Sequence, residues 1–237
     1  MITSVNLQDV KDKLYLDLKD TGWDDKLKSF LQGTEMDKIL EILLKEAMDG
    51  KRFTPPVKYI FRALKSCHFN KTRVVIIGQD PYPQIDVADG LAFSCSRQDR
   101  TEVSLQYMQK CIMDTVPQED RAPVQSNDLS RWADQGILLL NTAFTTSIGK
   151  PGTHQILWRN MIVNILDALV WNSDPLVYVF LGKKAQEFSD LIPDVNYKII
   201  TSHPASASYS GTEWDCGDLF NKVNSYLEKQ SKSKITW

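Results

Sequence analysis

The stretch VVIIGQDPYPQIDVADGLAFS, residues 74–94, decides how the chain is read. Val74, Val75, Ile76 and Ile77 are four apolar, β-branched residues in a row, the pattern of a strand buried on both faces of a parallel sheet. Gly78 permits a sharp turn at the carboxyl end of that strand. Gln79, Asp80, Pro81, Tyr82 and Pro83 follow at once, and the two prolines stiffen the turn. In open α/β sheets, ligands bind outside the carboxyl ends of strands. An amide, an acid and an aromatic therefore lie where a ligand is expected. Gly90 to Phe93 returns a second aromatic after a short loop.

Working outward, three more runs read as buried strands: 137–140 (ILLL), 176–181 (LVYVFL) and 197–201 (YKIIT). Asn141 stands at the end of the first, Gly182-Lys183-Lys184 after the second, and Ser202-His203-Pro204 after the third. The strands alternate with helical patterns over 101–116, 128–135 and from Trp158 to Leu169, with a closing helix over 219–227. The expected fold is α/β, a single domain with a central four-stranded, mainly parallel sheet flanked by helices. Helices are also predicted over 23–31, 36–48 and 57–66. Residues 1–22 read as a peripheral arm, so residues 1–54 form an N-terminal helical or peripheral segment of the domain whose main body is residues 55–237.

The 237 residues carry a net charge of −2, against a bulk electrostatic nucleic-acid binder but compatible with a local basic track. No apolar run approaches a membrane span, and the polar start does not resemble a signal peptide. Cys67, Cys95, Cys111 and Cys216 are scattered and fit neither a zinc site nor a secreted disulfide framework, so free buried thiols are expected. No phosphate-loop or dinucleotide fingerprint occurs.

Taken alone, Asp80 reads as a turn residue, Asn141 as a cap, and His154 as a cap or helper before a helix. Taken together, the blocks resemble family 1 uracil-DNA glycosylases. GQDPY at Gly78–Tyr82 and GLAFS at Gly90–Ser94 stand at that family's spacing, and ILLLNTAFT around Asn141 and HPASAS from His203 follow in its block order. Three departures stand out. Pro83 replaces the histidine that ends the first block, Ala207 replaces a leucine, and residues 97–104 lack the prolines the family carries there.

The resemblance implies a monofunctional uracil-DNA glycosylase that needs no metal or other cofactor. It implies Asp80 and His203 as catalytic residues, and Gln79, Tyr82, Phe93 and Asn141 as substrate-binding residues. Breaking an N-glycosidic bond develops positive charge on the sugar and negative charge on the leaving base, which calls for an anion beside one and hydrogen-bond donors beside the other. Asp80 supplies the anion and orients water. His203 donates to uracil O2, Asn141 matches the base edge, Phe93 stacks on the flipped base, and Tyr82 blocks a C5 methyl. Ser94, Ser202, Ser206 and Ser208 are expected at DNA phosphates. Ala207, or Tyr209 in its stead, is expected at the vacated base site. Arg97 and Arg100 read equally as phosphate contacts or solvated side chains. Residues 182–185 read equally as a phosphate site or a plain turn.

The expected partner is uracil-containing DNA, single- or double-stranded, with a DNA-mimicking inhibitor protein as a further one. A monomer is expected, cytoplasmic or nuclear, wherever the DNA is. The competing reading is a DNA-binding or replication-accessory protein of the same fold with reduced activity.

Overall fold

A computed structural model of the chain describes residues 6–97, 99–172 and 174–237. Its helices are α1 (Leu7–Leu16), α2 (Trp23–Lys26), α3 (Lys28–Leu31), α4 (Thr34–Met48), α5 (Arg62–Ser66), α6 (Val103–Thr115), α7 (Ser130–Asp134), α8 (Gln155–Val170), α9 (Lys183–Gln186), α10 (Ser206–Ser210) and α11 (Leu219–Lys229). Its strands are β1 (Phe53–Thr54), β2 (Val74–Gly78), β3 (Ile137–Asn141), β4 (Thr146–Ser147), β5 (Val177–Leu181) and β6 (Tyr197–Thr201).

The main sheet has the order β3-β2-β5-β6, and each adjacent pair is parallel. Every residue of β2, β3 and β5 is buried, which accounts for their unbroken apolar runs. β6 lies at the edge and is only partly covered, so it tolerates Lys198 and Thr201. From β2 the chain moves outward to β3, then crosses back to β5 and on to β6. The connections leaving β2 and β5 run in opposite directions, which opens a crevice beyond their carboxyl ends.

Apolar spacing determines which helix faces pack inward. α4 buries Met36, Ile39, Leu40 and Leu43, and α8 buries Trp158, Met161, Ile162, Ile165, Leu166 and Leu169. The N-terminal segment is more integrated than a peripheral arm. Leu14, Leu18 and Trp23 are buried in one continuous apolar cluster that extends to Ile235 and Trp237. The helix expected over 23–31 is split into α2 and α3, and that over 57–66 into a 3-10 turn and α5.

Two long-range features differ from expectation. β1 pairs antiparallel with β4, a ladder too short to show alternation in the sequence. Cys111 and Cys216 form a disulfide, because α6 and α11 pack together and bring residues 105 apart in sequence within a Cα separation of 6.5 Å. Cys67 and Cys95 are free and buried, as expected of all four.

Candidate active site

The candidate residues gather at the carboxyl ends of the main sheet. β2 ends at Gly78, which pairs in register with Asn141 at the end of β3. Thr142 fastens the two ends, its N–H donating to Gly78 O at 3.0 Å and its hydroxyl to Gln79 O at 2.6 Å. A Cβ on Gly78 would lie 2.8 Å from Asn141 Oδ1 and 2.9 Å from Phe93 Cζ. Glycine at this position therefore lets the amide and the ring close over the strand end.

Phe93 is a non-glycine residue at φ 66°, a conformation that needs support from its surroundings. Tyr82 supplies one restraint, its hydroxyl donating to Phe93 O at 3.1 Å. Burial raises the Tyr82 phenol well above its ordinary range, so this donor keeps its proton. Ala92 N–H donates to Leu139 O at 3.1 Å and ties the same loop to β3.

His203 closes the other side. Its ring lies 5.7 Å, centroid to centroid, from that of Phe93. A Cβ on Gly182, which follows β5, would come within 2.7 Å of His203 Cβ, so that glycine makes room for the histidine. Burial lowers the imidazole below its ordinary range and favours the neutral ring. Nδ1 accepts from the Ala205 N–H at 3.3 Å, which assigns the ring proton to Nε2, a hydrogen-bond donor.

Asp80 is half-buried. Burial raises its carboxyl above the usual range, while the Gly152 N–H, Thr146 and Gln79 act in the opposite sense. Gly152 N–H donates directly to Asp80 Oδ2. The site thus combines a restrained carboxylate, an amide, an aromatic ring and a histidine that burial favours in its neutral form.

Two expected DNA contacts are placed elsewhere. Ser94 is buried, its hydroxyl donating to Asp89 Oδ2 at 2.7 Å and accepting from Leu129 N at 3.1 Å, so it braces the Phe93 loop and has no face for phosphate. Ala207 is also buried, at 4% exposure, and does not project as a wedge. Tyr209 is 92% exposed on the same short helix. Residues two apart on a helix point roughly 200° apart, so burying Ala207 turns Tyr209 outward. Ser202, Ser206 and Ser208 are exposed on this rim. Arg97 and Arg100 are exposed and pair with Asp99 and Glu102.

Sequence reasoning missed the support around His154. This residue makes no side-chain cap to α8. Its Nδ1 meets Thr145 Oγ1 at 2.8 Å and its Nε2 meets Glu46 Oε2 at 3.0 Å. Glu46 lies 108 positions away and carries no local signal of the contact. A cavity of about 580 Å³ lies at the opposite end of the sheet around Lys71, Arg73 and Gly136, and contains none of the candidate residues.

A parallel sheet with acid, amide and histidine gathered beyond its strand ends, at the switch point of the topology, defines an α/β candidate active site. Comparison with known proteins narrows the class. Residues 65–228 match the model of the uracil DNA glycosylase superfamily. A uracil-DNA glycosylase of Acinetobacter baylyi is 32% identical over 230 residues, covering 95% of each chain. One from Amoebophilus asiaticus is 35% identical over 202 residues, covering 84% of this chain and 89% of the relative. Among solved structures, mimivirus uracil-DNA glycosylase superposes with a TM-score of 0.85 at 26% identity, covering 97% of this chain and 91% of its own. A variant of the mimivirus enzyme in complex with UGI gives 0.84 at 27% identity, with 97% and 92% coverage. The chain belongs to the uracil-DNA glycosylase superfamily.

Proposed function

We propose that this protein is a family 1 enzyme that flips uracil out of DNA and hydrolyses its N-glycosidic bond, leaving an abasic site for base-excision repair. The observation that carries this reading is the convergence of Asn141, Phe93 and His203 around Gly78 and Gly182, with Asp80 fixed beside them. The GQDPY block at Gly78–Tyr82 supports the assignment to family 1.

In this scheme the flipped uracil stacks on Phe93 and offers its O4 and N3–H edge to Asn141. Tyr82, held by its bond to Phe93 O, lies against C5 and excludes a methyl group. As the glycosidic bond breaks, ionised Asp80 stabilises the cationic sugar and orients the water that attacks C1′. His203 Nε2–H donates to O2 of the leaving base, where negative charge grows. A neutral donor aimed at that oxygen suffices, and burial favours that form of the ring. Gln79 shapes the pocket. No lysine lies among these groups to form an imine with the sugar, so the strand is left uncut.

Ser202, Ser206 and Ser208 approach the DNA backbone from the exposed rim, and Tyr209 fills the space vacated by the base. A DNA-mimicking inhibitor would cover the same face. The reading is tested by incubating the protein with uracil-containing single- and double-stranded oligonucleotides in chelator, then cleaving abasic sites with alkali. Release from both supports it, and release from neither by folded protein contradicts it. The second reading, a DNA-binding accessory protein of the same fold with reduced activity, draws on Pro83 standing where the resemblance calls for histidine. It predicts DNA binding with little or no uracil release.

A further inference from the structure

The carboxylate that activates water is held by a loop, and that loop is held by the N-terminal segment. Gly152 N–H donates to Asp80 Oδ2, and His154 lies two residues further on. His154 is 3% exposed and fully engaged. The Trp158 indole N–H, which can only donate, gives its bond to Thr145 Oγ1 at 2.7 Å, and Thr145 Oγ1 meets His154 Nδ1 at 2.8 Å. On the other side His154 Nε2 meets Glu46 Oε2 on α4 at 3.0 Å, with Ser147 Oγ at 3.3 Å.

A second tie runs in parallel. β1 pairs with β4, Ile148 N–H donates to Arg52 O at 2.8 Å, and Gly149 N–H donates to Pro83 O at 2.8 Å. Residues 146–154 are therefore clamped between the N-terminal segment and the turn that carries Asp80. An exposed polar contact contributes little, but this one ends on a buried ring bonded on both sides.

We propose that Glu46 and His154 are a positioning pair that fixes the Gly152 N–H against Asp80, so that a side chain from α4, in the N-terminal segment, sets the geometry of the water-activating carboxylate. The inference rests on the functional reading above. It differs from a purely structural role in what it demands of Asp80. The Gly152 bond favours the ionised carboxylate, against the burial that disfavours it, and Thr146 and Gln79 are the other side chains facing the group. Loosening Gly152 therefore raises the Asp80 pKa, and the acid limb of the rate profile moves to higher pH.

The test is single-turnover excision from a uracil-containing single strand across a pH series, with wild type, Glu46→Leu, Glu46→Gln and His154→Asn. DNA affinity is measured in parallel with a labelled oligonucleotide. Asparagine keeps a partner for Thr145 but falls short of Glu46. Glutamine at position 46 keeps an acceptor for the His154 N–H. Glu46→Leu and His154→Asn should slow excision by about tenfold or more, since misplacing a reacting group by about 1 Å costs on the order of 10²-fold. Both should shift the acid limb upward with DNA affinity unchanged, and Glu46→Gln should restore most of the rate. Should Glu46→Leu fail to fold, His154→Asn carries the same comparison. A slower reaction with an unmoved acid limb overturns the pairing, as do unchanged rates. A wild type that releases no uracil overturns this inference and the functional reading together, whereas release with an unmoved limb overturns this inference alone.

Discussion

The two loops facing the crevice are built on opposite plans. Residues 79–93 are bonded at nearly every turn. Asp80 accepts from Gly152, Tyr82 donates to Phe93, and Asp89 joins Arg62, Leu91 and Ser94. Residues 202–211 instead project Ser202, Ser206, Ser208 and Tyr209 into solvent, with Ala207 as their buried footing. On the proposed function, the first loop holds atoms still relative to a breaking bond, and a fixed carboxylate or donor acts without reorganising. On the same proposal, the second meets a large polymer from outside with its exposed side chains, of which Ser206 also donates its hydroxyl to His203 O at 2.6 Å. The difference separates chemistry from capture, and substitutions in the two loops should fail differently.

A large effect is expected at His203, which sits in the outer loop with its ring 5.7 Å from that of Phe93 in the inner one. His203→Ala should slow single-turnover excision by about 10²–10³-fold on single and double strands alike, the usual loss of one aimed donor. An effect confined to duplex would place His203 with capture instead. In the wild type, the rate should fall as acid protonates Asp80, whose carboxyl is raised by burial. His203, lowered by burial, stays neutral to lower pH than an ordinary histidine. A profile that instead rises on acidification would show that the protonated imidazole is the working form.

Selectivity should change next. Tyr82→Ala removes the bulk beside C5 and should admit thymine, and Asn141→Asp should admit cytosine, each with lower overall activity. Product analysis showing uracil alone from both variants would withdraw these assignments.

Smaller and more selective effects belong to the outer loop. Tyr209→Ala should slow excision from duplex more than from single strand, because extrusion costs a few kcal/mol in duplex and less in an unpaired strand. Equal losses on both substrates would remove Tyr209 from the vacated base site. Ala207→Leu sharpens the contrast. A leucine there must enter packed space, so the expected outcome is destabilisation of about 1–3 kcal/mol in denaturant melts with no gain on duplex. A duplex-selective gain at unchanged stability would show that position 207 faces the DNA after all.

Much of the inner plan is legible in the sequence. Three of the main strands are short unbroken apolar runs, and the rule that ligands meet strand carboxyl ends places Asp80, Asn141 and His203 before any coordinates. What is not legible depends on partners far apart in the chain. Glu46 and His154, β1 and β4, and Cys111 and Cys216 each meet through packing that periodicity does not report. Ser94 and Ala207 show a subtler limit. Both lie inside recognisable blocks, yet small polar and small apolar residues fit either side of a loop. Only the bonds of Asp89 and the turn of α10 reveal that these two face inward.

The central claim is that Asp80, ionised and fixed at the end of β2, activates the water that replaces uracil. Single-turnover excision by Asp80→Asn, beside wild type on the same uracil-containing single strand and with DNA affinity measured for both, tests it most directly. The predicted result is a rate lower by about 10²-fold or more with binding retained. A near-normal rate in a folded, DNA-binding Asp80→Asn protein would contradict the account.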